Sequence, residues 1–202
     1  DALPILFLAL LILGINANSK ELLDESQNRK NLLNMKSEST KKTIVFTGGG
    51  TIGPVTPLLA LYEELKSQHP EWEFHWVGTA QGPERTLIAK YQIPFSALPE
   101  VKLDRFFSLR NLIAPFKMIH ALIQAHKLLD LLKADLLITA GGYVSVPLIW
   151  SGKLKKIPAY IHQLDIIPGL ANKLMVPFAT KISVTFEQSL KDFDQIIEID
   201  PQ

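Results

Sequence analysis

From Thr43 onward, the sequence alternates between short β-rich runs and longer segments with a helical hydrophobic period. The run Thr43 to Thr47 predicts a first strand, and after a glycine cluster the segment Val55 to Leu65 predicts a helix. Further strands are predicted at Glu73 to Val77, Phe95 to Leu98, Asp135 to Thr139, Ala159 to His162 and Lys181 to Thr185. This alternation predicts an α/β fold in which a parallel sheet carries helices on both faces.

Composition sets limits on what this domain does. With 202 residues, 47% of them hydrophobic, the chain is long enough for one substantial core and a tail. Its 21 basic and 20 acidic residues leave a formal charge of +1, so we expect no nucleic-acid partner. The absence of cysteine excludes disulfides, thiolate metal sites and cysteine nucleophiles. Because the histidines lack metal-ligand spacing, we expect no metal and no cofactor.

The first 42 residues are not predicted to belong to this fold. Residues 1–16 form an apolar segment that is shorter than the roughly 20 residues a helix needs to cross a bilayer. The segment opens with Asp1, and three origins fit it: a truncated membrane span, a signal-peptide core, or read-through from an upstream gene. Residues 17–42 are polar, show no hydrophobic period and are predicted to be a linker. The domain itself is predicted to cover residues 43–190.

Three of the loops that follow predicted strands have unusual sequences. The first, Gly48 to Pro54, lets the backbone approach a ligand closely and leads into a helix whose N-terminus would favour a diphosphate. The second, Ala140 to Pro147, contains another glycine pair before a helix. The third runs from His162 to Lys173. Ligands of open parallel sheets bind beyond the carboxyl ends of the strands, which is where these loops lie.

The order and spacing of these motifs resemble the MurG branch of glycosyltransferase family 28, over about residues 42–189. The segment Gly49 to Pro54 stands where that family has GGTGGH, and Gly141 to Ser145 is its GGYVS without change. His162 stands at the head of its HEQN motif. The other matching segments are Pro57 to Ala60, Val77 to Thr79 with Glu84, Ile93 to Phe95, and Ile157-Pro158.

The resemblance implies a Rossmann-like domain, the N-terminal, acceptor-side half of a GT-B fold. It further implies an inverting N-acetylglucosaminyltransferase of peptidoglycan synthesis that uses UDP-GlcNAc and an undecaprenyl-diphosphate-linked muramoyl-peptide at the cytoplasmic face of the cell membrane. The family's C-terminal donor domain is not predicted in this sequence, in which residues 191–202 would begin the inter-domain region. We therefore expect negligible transferase activity from the chain alone, with a separate donor-domain subunit as one possible partner.

The site residues follow from the loops and the resemblance together. The expected diphosphate- and substrate-binding residues are Gly49, Gly50, Thr51, Ile52, Gly53, Gly141, Gly142, Tyr143, Ser145 and Asp165. His162 and Asp165 are the expected catalytic residues, although a structural aspartate that caps the loop before Pro168 is an open alternative. Two departures from the family matter most. Pro54 replaces a histidine that is a candidate base, and Gln163 to Asp165 replace the last three residues of HEQN.

A segment with apolar and basic residues predicts a second surface. Leu112, Ile113, Phe116, Ile119 and Ile123 are predicted on one helical face, with Arg110, Lys117, His120 and Lys127 mainly on another. Such a helix, with Phe106 and Phe107 beside it, could rest on an anionic membrane surface. An ordinary helix with this apolar face in the core and its charges in solvent is the alternative. The expected membrane contacts are Phe106, Phe107, Arg110, Phe116 and Lys117.

Three functions remain open on sequence grounds. The first is the transferase half described above. The second is a membrane-tethered, non-catalytic acceptor-binding subunit of a split glycosyltransferase, which the loss of the histidine at Pro54 favours. The third is a nucleotide-dependent oxidoreductase, because Gly48, Gly50 and Gly53 match G-x-G-x-x-G. The missing acidic residue after the second strand argues against that third function.

Overall fold

The domain is built on a six-stranded sheet in which every pair of neighbouring strands is parallel. The structure is a computed structural model that describes residues 41–99, 101 and 109–193. Within it, the residues from Lys42 onward form one compact unit. The expected segment 1–16, nearly all of the linker 17–42 and Phe106 and Phe107 lie outside the described residues.

The strands and helices alternate as the sequence pattern predicts. The strands are β1 Thr43–Thr47, β2 Glu73–Gly78, β3 Phe95–Ala97, β4 Leu136–Thr139, β5 Ala159–Gln163 and β6 Lys181–Val184. The helices are α1 Val55–Gln68, α2 Glu84–Lys90, α3 Leu109–Leu132, α4 Ser145–Leu154 and α5 Leu170–Met175, with short 3-10 segments at Val176–Phe178 and Glu187–Asp192. Predicted and observed strand ends differ by one residue at most, and α1 extends three residues beyond the predicted Leu65.

The strand order β3-β2-β1-β4-β5-β6 places the first strand in the middle of the sheet. From β1 the chain moves outward to β2 and β3, then returns through α3 to β4 on the other side of β1. The order of the strands therefore reverses between β1 and β4. In open α/β sheets the crevice at such a switch point, beyond the carboxyl ends of the strands, is where ligands bind.

The core has two layers, one on each face of the sheet. Ile44 and Phe46 of β1 point into one layer together with Leu58 of α1 and Ile88 of α2. Val45, between them in sequence, points into the other layer, which α3, α4 and α5 cover. Because alternate residues of a buried parallel strand face opposite sides, a nearly continuous apolar run is required in β1. Helices on both faces of the sheet are thus confirmed.

Helix α3 packs on the core through Ala121, Ala125 and Leu129, while other large side chains of the helix are exposed. Ala121 and Ala125 are fully buried, whereas the exposed fractions of Phe116, Ile119 and Ile123 are 73%, 56% and 51%. Of the predicted apolar face, Phe116, Ile119 and Ile123 are therefore not in the core, although the helix itself does face the core. Alanine at two of the contact positions lets the helix pack closely, and Phe116, Ile119 and Ile123 lie on its outer side.

The basic residues of α3 are also placed differently from the prediction. His120 follows Phe116 by four positions and Lys127 follows Ile123 by four, so both share the exposed apolar face instead of lying on another one. Lys117 is exposed at its flank, and Arg110 lies in the first turn of the helix. Among the described helices, none has both the length and the apolar character needed to cross a bilayer.

Candidate functional site

The first two glycine loops meet at the carboxyl ends of β1 and β4. A side chain on Gly142 would lie 2.9 Å from the carbonyl oxygen of Gly49 and 3.2 Å from its amide nitrogen, so the two backbones are in direct contact. Gly141 and Gly142 have φ values of 118° and 105°, which residues with a Cβ rarely adopt. Residue 142 must therefore be glycine for two reasons: its φ is positive, and the backbone of Gly49 leaves no room for a Cβ.

Two short backbone stretches in these loops carry unused N–H groups. In the described part of the chain, the amides of Thr51 to Gly53 and of Gly142 to Val144 make no hydrogen bond. The first stretch precedes α1 and is exposed, and the second directly precedes α4. Neither helix has an acidic residue in its first turn. Free amides at a helix N-terminus attract anions, because the helix dipole adds to their partial positive charge.

A buried hydroxyl cluster holds the second loop in place. Ser145, fully buried, accepts hydrogen bonds from Thr47 Oγ1 (3.2 Å) and Thr139 Oγ1 (3.1 Å). Its own hydroxyl donates to the carbonyl oxygen of Gly141 (3.2 Å), and the Gly141 amide donates to Thr139 Oγ1 (3.0 Å). Ser145 was expected to line the site, but its hydrogen-bonding capacity is used inside the protein. We therefore assign it the role of positioning Gly141.

A carboxylate beneath the first loop was not among the expected site residues. Glu84 is fully buried and accepts hydrogen bonds from the Thr79 amide (2.7 Å), the Thr79 hydroxyl (2.5 Å) and the Gly50 amide (3.2 Å). A Cβ at Gly49 or Gly82 would collide with this carboxylate. The Gly50 amide, expected to bind a ligand, is instead held by Glu84. The sequence signal for this contact is an acidic residue that begins a helix shortly after a glycine-containing strand end.

The first loop is also fixed by an aromatic side chain. The indole N–H of Trp76, a fully buried residue of β2, donates to the carbonyl oxygen of Gly48 at 3.1 Å. Together with the hydrogen bond that the Gly50 amide donates to Glu84, this fixes the loop on both sides of Gly49. The residues that follow, Thr51 to Gly53, stay exposed.

The third loop brings His162 and Asp165 to the same edge of the sheet. The Nδ1 atom of His162 lies 2.6 Å from Ser183 Oγ, and its Nε2 atom lies 3.3 Å from Thr185 Oγ1. Burial lowers the pKa of His162, which favours the neutral ring. Asp165 is exposed, and its carboxylate makes no hydrogen bond in the described structure. A capping role for the Asp165 side chain is not observed, because α5 begins without a side-chain cap.

We expect acidification from about pH 7.5 to about pH 5.5 to lower the melting temperature. Burial lowers the pKa of both His75 and His162 below the ordinary value of 6.5, so the unfolded chain takes up protons before the folded one does. The contribution of these two neutral histidines to the stability is then fully present above pH 6.5 and is lost as the pH falls below that value. Calorimetry at both pH values should show a smaller fall for His162→Gln than for the wild type. Equal falls in the two proteins would contradict this account.

The other expected residues are placed as follows. Tyr143 is partly buried at the start of α4 and packs against the core layer of α3 to α5. Ile52 is 41% exposed at the tip of the first loop. The described residues contain no group of three or more histidine, aspartate or glutamate side chains placed to hold a metal ion.

Sequence comparisons place this arrangement among known proteins. Residues 44–184 match the glycosyltransferase family 28 N-terminal domain. The chain is 43% identical over 150 residues to a UDP-N-acetylglucosamine–N-acetylmuramyl-(pentapeptide) pyrophosphoryl-undecaprenol N-acetylglucosamine transferase of Bacillus cereus. A transferase of the same name from Clostridium botulinum shows the same identity. Each match covers 74% of this chain and 42% of the relative, so the chain spans less than half the length of these proteins.

Solved structures with the same fold include MurG of Acinetobacter baumannii, which is 26% identical. That match has a TM-score of 0.63 and covers 73% of this chain and 42% of the MurG chain. A second match is UDP-GlcNAc 2-epimerase from Neisseria meningitidis, whose structure was solved with UDP-GlcNAc bound. This match has a TM-score of 0.55 and covers 79% of this chain and 45% of the epimerase chain. At 14% identity, the second likeness concerns the fold alone.

Proposed function

Because this chain belongs to glycosyltransferase family 28, whose N-terminal domain it contains, we propose that it is the acceptor-binding half of an inverting N-acetylglucosaminyltransferase. The acceptor would be an undecaprenyl-diphosphate-linked muramoyl-peptide and the donor UDP-GlcNAc, the compounds in the names of its relatives. The reaction would take place at the cytoplasmic face of the cell membrane. A cofactor is not needed for direct transfer from a nucleotide sugar.

One observation carries this proposal: two sets of free backbone amides, Thr51 to Gly53 and Gly142 to Val144, at adjoining loops of the sheet's switch point. A diphosphate has two charged groups, and each helix N-terminus can receive one of them. The buried Glu84 beneath Gly49 and Gly50 makes those two residues poor direct ligands, since its negative charge would repel phosphate. We therefore place the diphosphate on the outer amides.

The chemistry would be a single displacement. The acceptor hydroxyl oxygen bonds to the anomeric carbon of the donor sugar while the bond from that carbon to the diphosphate breaks, which inverts the configuration and releases UDP. The hydroxyl proton passes to a base, and Asp165 is the candidate because its carboxylate is exposed and free of hydrogen bonds. His162 suits this role less well, because both ring nitrogens already have hydroxyl neighbours.

We propose that turnover requires a donor-binding half in addition to these 202 residues, either in the same polypeptide or as a separate subunit. Purified chain mixed with UDP-GlcNAc and lipid acceptor should give far less than about 1 turnover per second, a low value for an ordinary enzyme. Release of UDP measured by a coupled assay tests this. Turnover at the ordinary rate would contradict the need for a donor half.

The exposed face of α3 is the proposed contact with the membrane. Phe116, Ile119 and Ile123 supply apolar area, and Lys127 and His120 lie among them where they would meet anionic head groups. Phe106, Phe107, Arg110 and Lys117 remain proposed contacts.

Replacing both Phe116 and Ile119 with glutamate should weaken binding to anionic vesicles more than about tenfold, because two apolar side chains no longer enter the interface. Cosedimentation with phosphatidylglycerol vesicles measures the effect. Leu154→Glu provides the control, since Leu154 is 75% exposed at the end of α4 and lies outside this face. Equal binding by the double variant and the control would contradict the assignment.

A non-catalytic acceptor-binding subunit is the second candidate function, and Pro54 is the observation that favours it. Pro54 has φ −66° and stands immediately before α1, where its ring has no group that can accept a proton. In a two-domain fusion with the donor half of a relative, Pro54→His should raise kcat by about tenfold or more if this chain has lost a base. No gain would favour Asp165 as the base. A matching fusion with Asp165→Asn should then lose most activity.

A further inference from the structure

A buried amide pair connects the third loop to the second. The Nε2 group of Gln163 donates to the carbonyl oxygen of Asp165 at 2.7 Å, and the Oε1 atom of Gln163 accepts from Asn172 Nδ2 at 2.6 Å. Gln163 and Asn172 are only 1% and 6% exposed. The carbonyl of Asp165 cannot donate, so it fixes the orientation of the Gln163 amide and, through it, that of Asn172.

This orientation leaves one acceptor unused. Asn172 Oδ1 is buried and has no hydrogen-bond partner in the described structure. It lies against Gly141, on the side where a Cβ would be 2.9 Å away. Flipping the Asn172 amide would not help, since it would place two oxygens together at Gln163. Buried polar atoms are nearly always paired, so an acceptor kept in this position by a chain of bonds needs an explanation.

The surroundings of Asn172 Oδ1 indicate what could pair with it. Gly141 directly precedes the free amides of Gly142 to Val144 at the N-terminus of α4. A ligand group bound by those amides is therefore adjacent to the loop residue that covers Oδ1. To uncover the oxygen, the peptide between Gly141 and Gly142 has to turn, which breaks the 3.2 Å hydrogen bond from Ser145 Oγ to the Gly141 carbonyl oxygen. Both glycines have positive φ and no side chain, so the turn meets no side-chain clash at these positions.

We propose that Asn172 Oδ1 accepts a hydrogen bond from an N–H or O–H group of a sugar phosphate whose phosphate lies on the amides of Gly142 to Val144. Because Asn172 Oδ1 lies against Gly141 and the free amides begin at Gly142, the donor group must be a few bonds from the phosphate. A hydroxyl or acetamido group on the carbon next to the phosphate-bearing one meets this requirement. Asn172 is then a specificity-determining residue. This inference rests on the proposed acceptor-binding function.

Calorimetric titration of the full chain with three probes tests the assignment. The probes are N-acetylglucosamine 1-phosphate, 2-deoxyglucose 1-phosphate, which lacks the donor on the neighbouring carbon, and inorganic phosphate. The wild type should bind the first about tenfold more tightly than the second, as one buried hydrogen bond allows. In Asn172→Ala this ratio should fall to about one, while the affinity for inorganic phosphate stays within about twofold.

Two variants separate recognition from stability. Asn172→Asp loses the bond to Gln163 but keeps an acceptor oxygen, so its melting temperature should fall while the tenfold ratio is retained. Ser189→Ala removes a buried hydroxyl that donates to the carbonyl oxygens of Asp165 (3.2 Å) and Ile166 (2.9 Å), at the far end of the same network. Ser189→Ala should also retain the tenfold preference for N-acetylglucosamine 1-phosphate over 2-deoxyglucose 1-phosphate. Loss of the ratio in Ser189→Ala, or its retention in Asn172→Ala, would overturn the assignment.

A crystal structure of the wild-type chain with N-acetylglucosamine 1-phosphate gives a test that needs no variant. The acetamido nitrogen should lie within about 3.2 Å of Asn172 Oδ1. A bound ligand with Oδ1 still against Gly141 would overturn the assignment but leave the acceptor-binding function standing. If the wild type binds none of the three probes, the phosphate site fails, and both proposals fail with it.

Discussion

Gly142→Ala should destabilise the folded chain by about 3 kcal/mol and abolish binding of diphosphate ligands. The substitution forces an alanine into a backbone conformation with φ 105° and drives its Cβ against the backbone of Gly49, which cannot move aside as a side chain can. Relief of that overlap would separate the two loops that are proposed to share the diphosphate. Urea denaturation gives the free energy of unfolding, and titration with inorganic pyrophosphate gives the binding.

Gly169→Ala is the matched control for this variant. Gly169 has an ordinary φ of −66°, and a Cβ there would meet nothing within 4 Å. Because Gly169 is the N-cap of α5, where alanine is a poorer cap, the free energy of unfolding of this control should fall by no more than about 1 kcal/mol. A Gly142→Ala protein as stable as the Gly169→Ala control would contradict the close contact between the two glycine loops.

Glu84→Gln should lower the free energy of unfolding by about 2 to 4 kcal/mol. The carboxylate accepts hydrogen bonds from two amides and one hydroxyl. Glutamine has an NH₂ group in place of one of the oxygens, and this group would point at a buried N–H or O–H donor with which it cannot form a hydrogen bond. The first loop would then lose its connection to the loop after β2. Urea denaturation again measures the loss.

Glu63→Gln makes the same chemical change on the exposed side of α1 and should stay within about 0.5 kcal/mol of the wild type. Should Glu84→Gln behave like this control, the carboxylate would not be what holds Gly50. The first loop would then owe its shape to Trp76 and to the packing of α1 alone.

The strands were predictable because each is a short run of buried apolar residues bounded by turn residues. Thr43–Thr47 illustrates this, since its central residues face the two core layers in alternation. The order of the strands was not predictable in this way. The position of β1 between β2 and β4 depends on pairings between residues far apart in sequence, such as Val45 with Leu137.

The candidate site was predictable as a set of loops but not as a set of contacts. Glycine pairs after β1 and β4 indicated close backbone approach, and Gly49 and Gly142 do lie together. The roles of Glu84 and Ser145 depend on partners that the fold supplies from a distance. Glu84 reaches Gly50 across 34 positions, and Ser145 reaches Thr47 across 98.

The sequence could not decide which face of α3 packs on the sheet, because hydropathy alone favours the large residues as the buried ones. In the structure Ala121 and Ala125 are buried, while Phe116 and Ile119 are exposed. Leu129 of the same helix is fully buried, so the way α3 lies on the core, rather than side-chain size alone, decides which of its large residues are covered.

We propose that the free amides of Thr51 to Gly53 and Gly142 to Val144 form a site for a lipid-linked diphosphate. The most direct measurement is binding of the chain to neutral vesicles with and without undecaprenyl-diphosphate-linked muramoyl-pentapeptide. We expect saturable binding that requires this lipid and is displaced by soluble pyrophosphate. Equal binding to both kinds of vesicle, unaffected by pyrophosphate, would contradict the account.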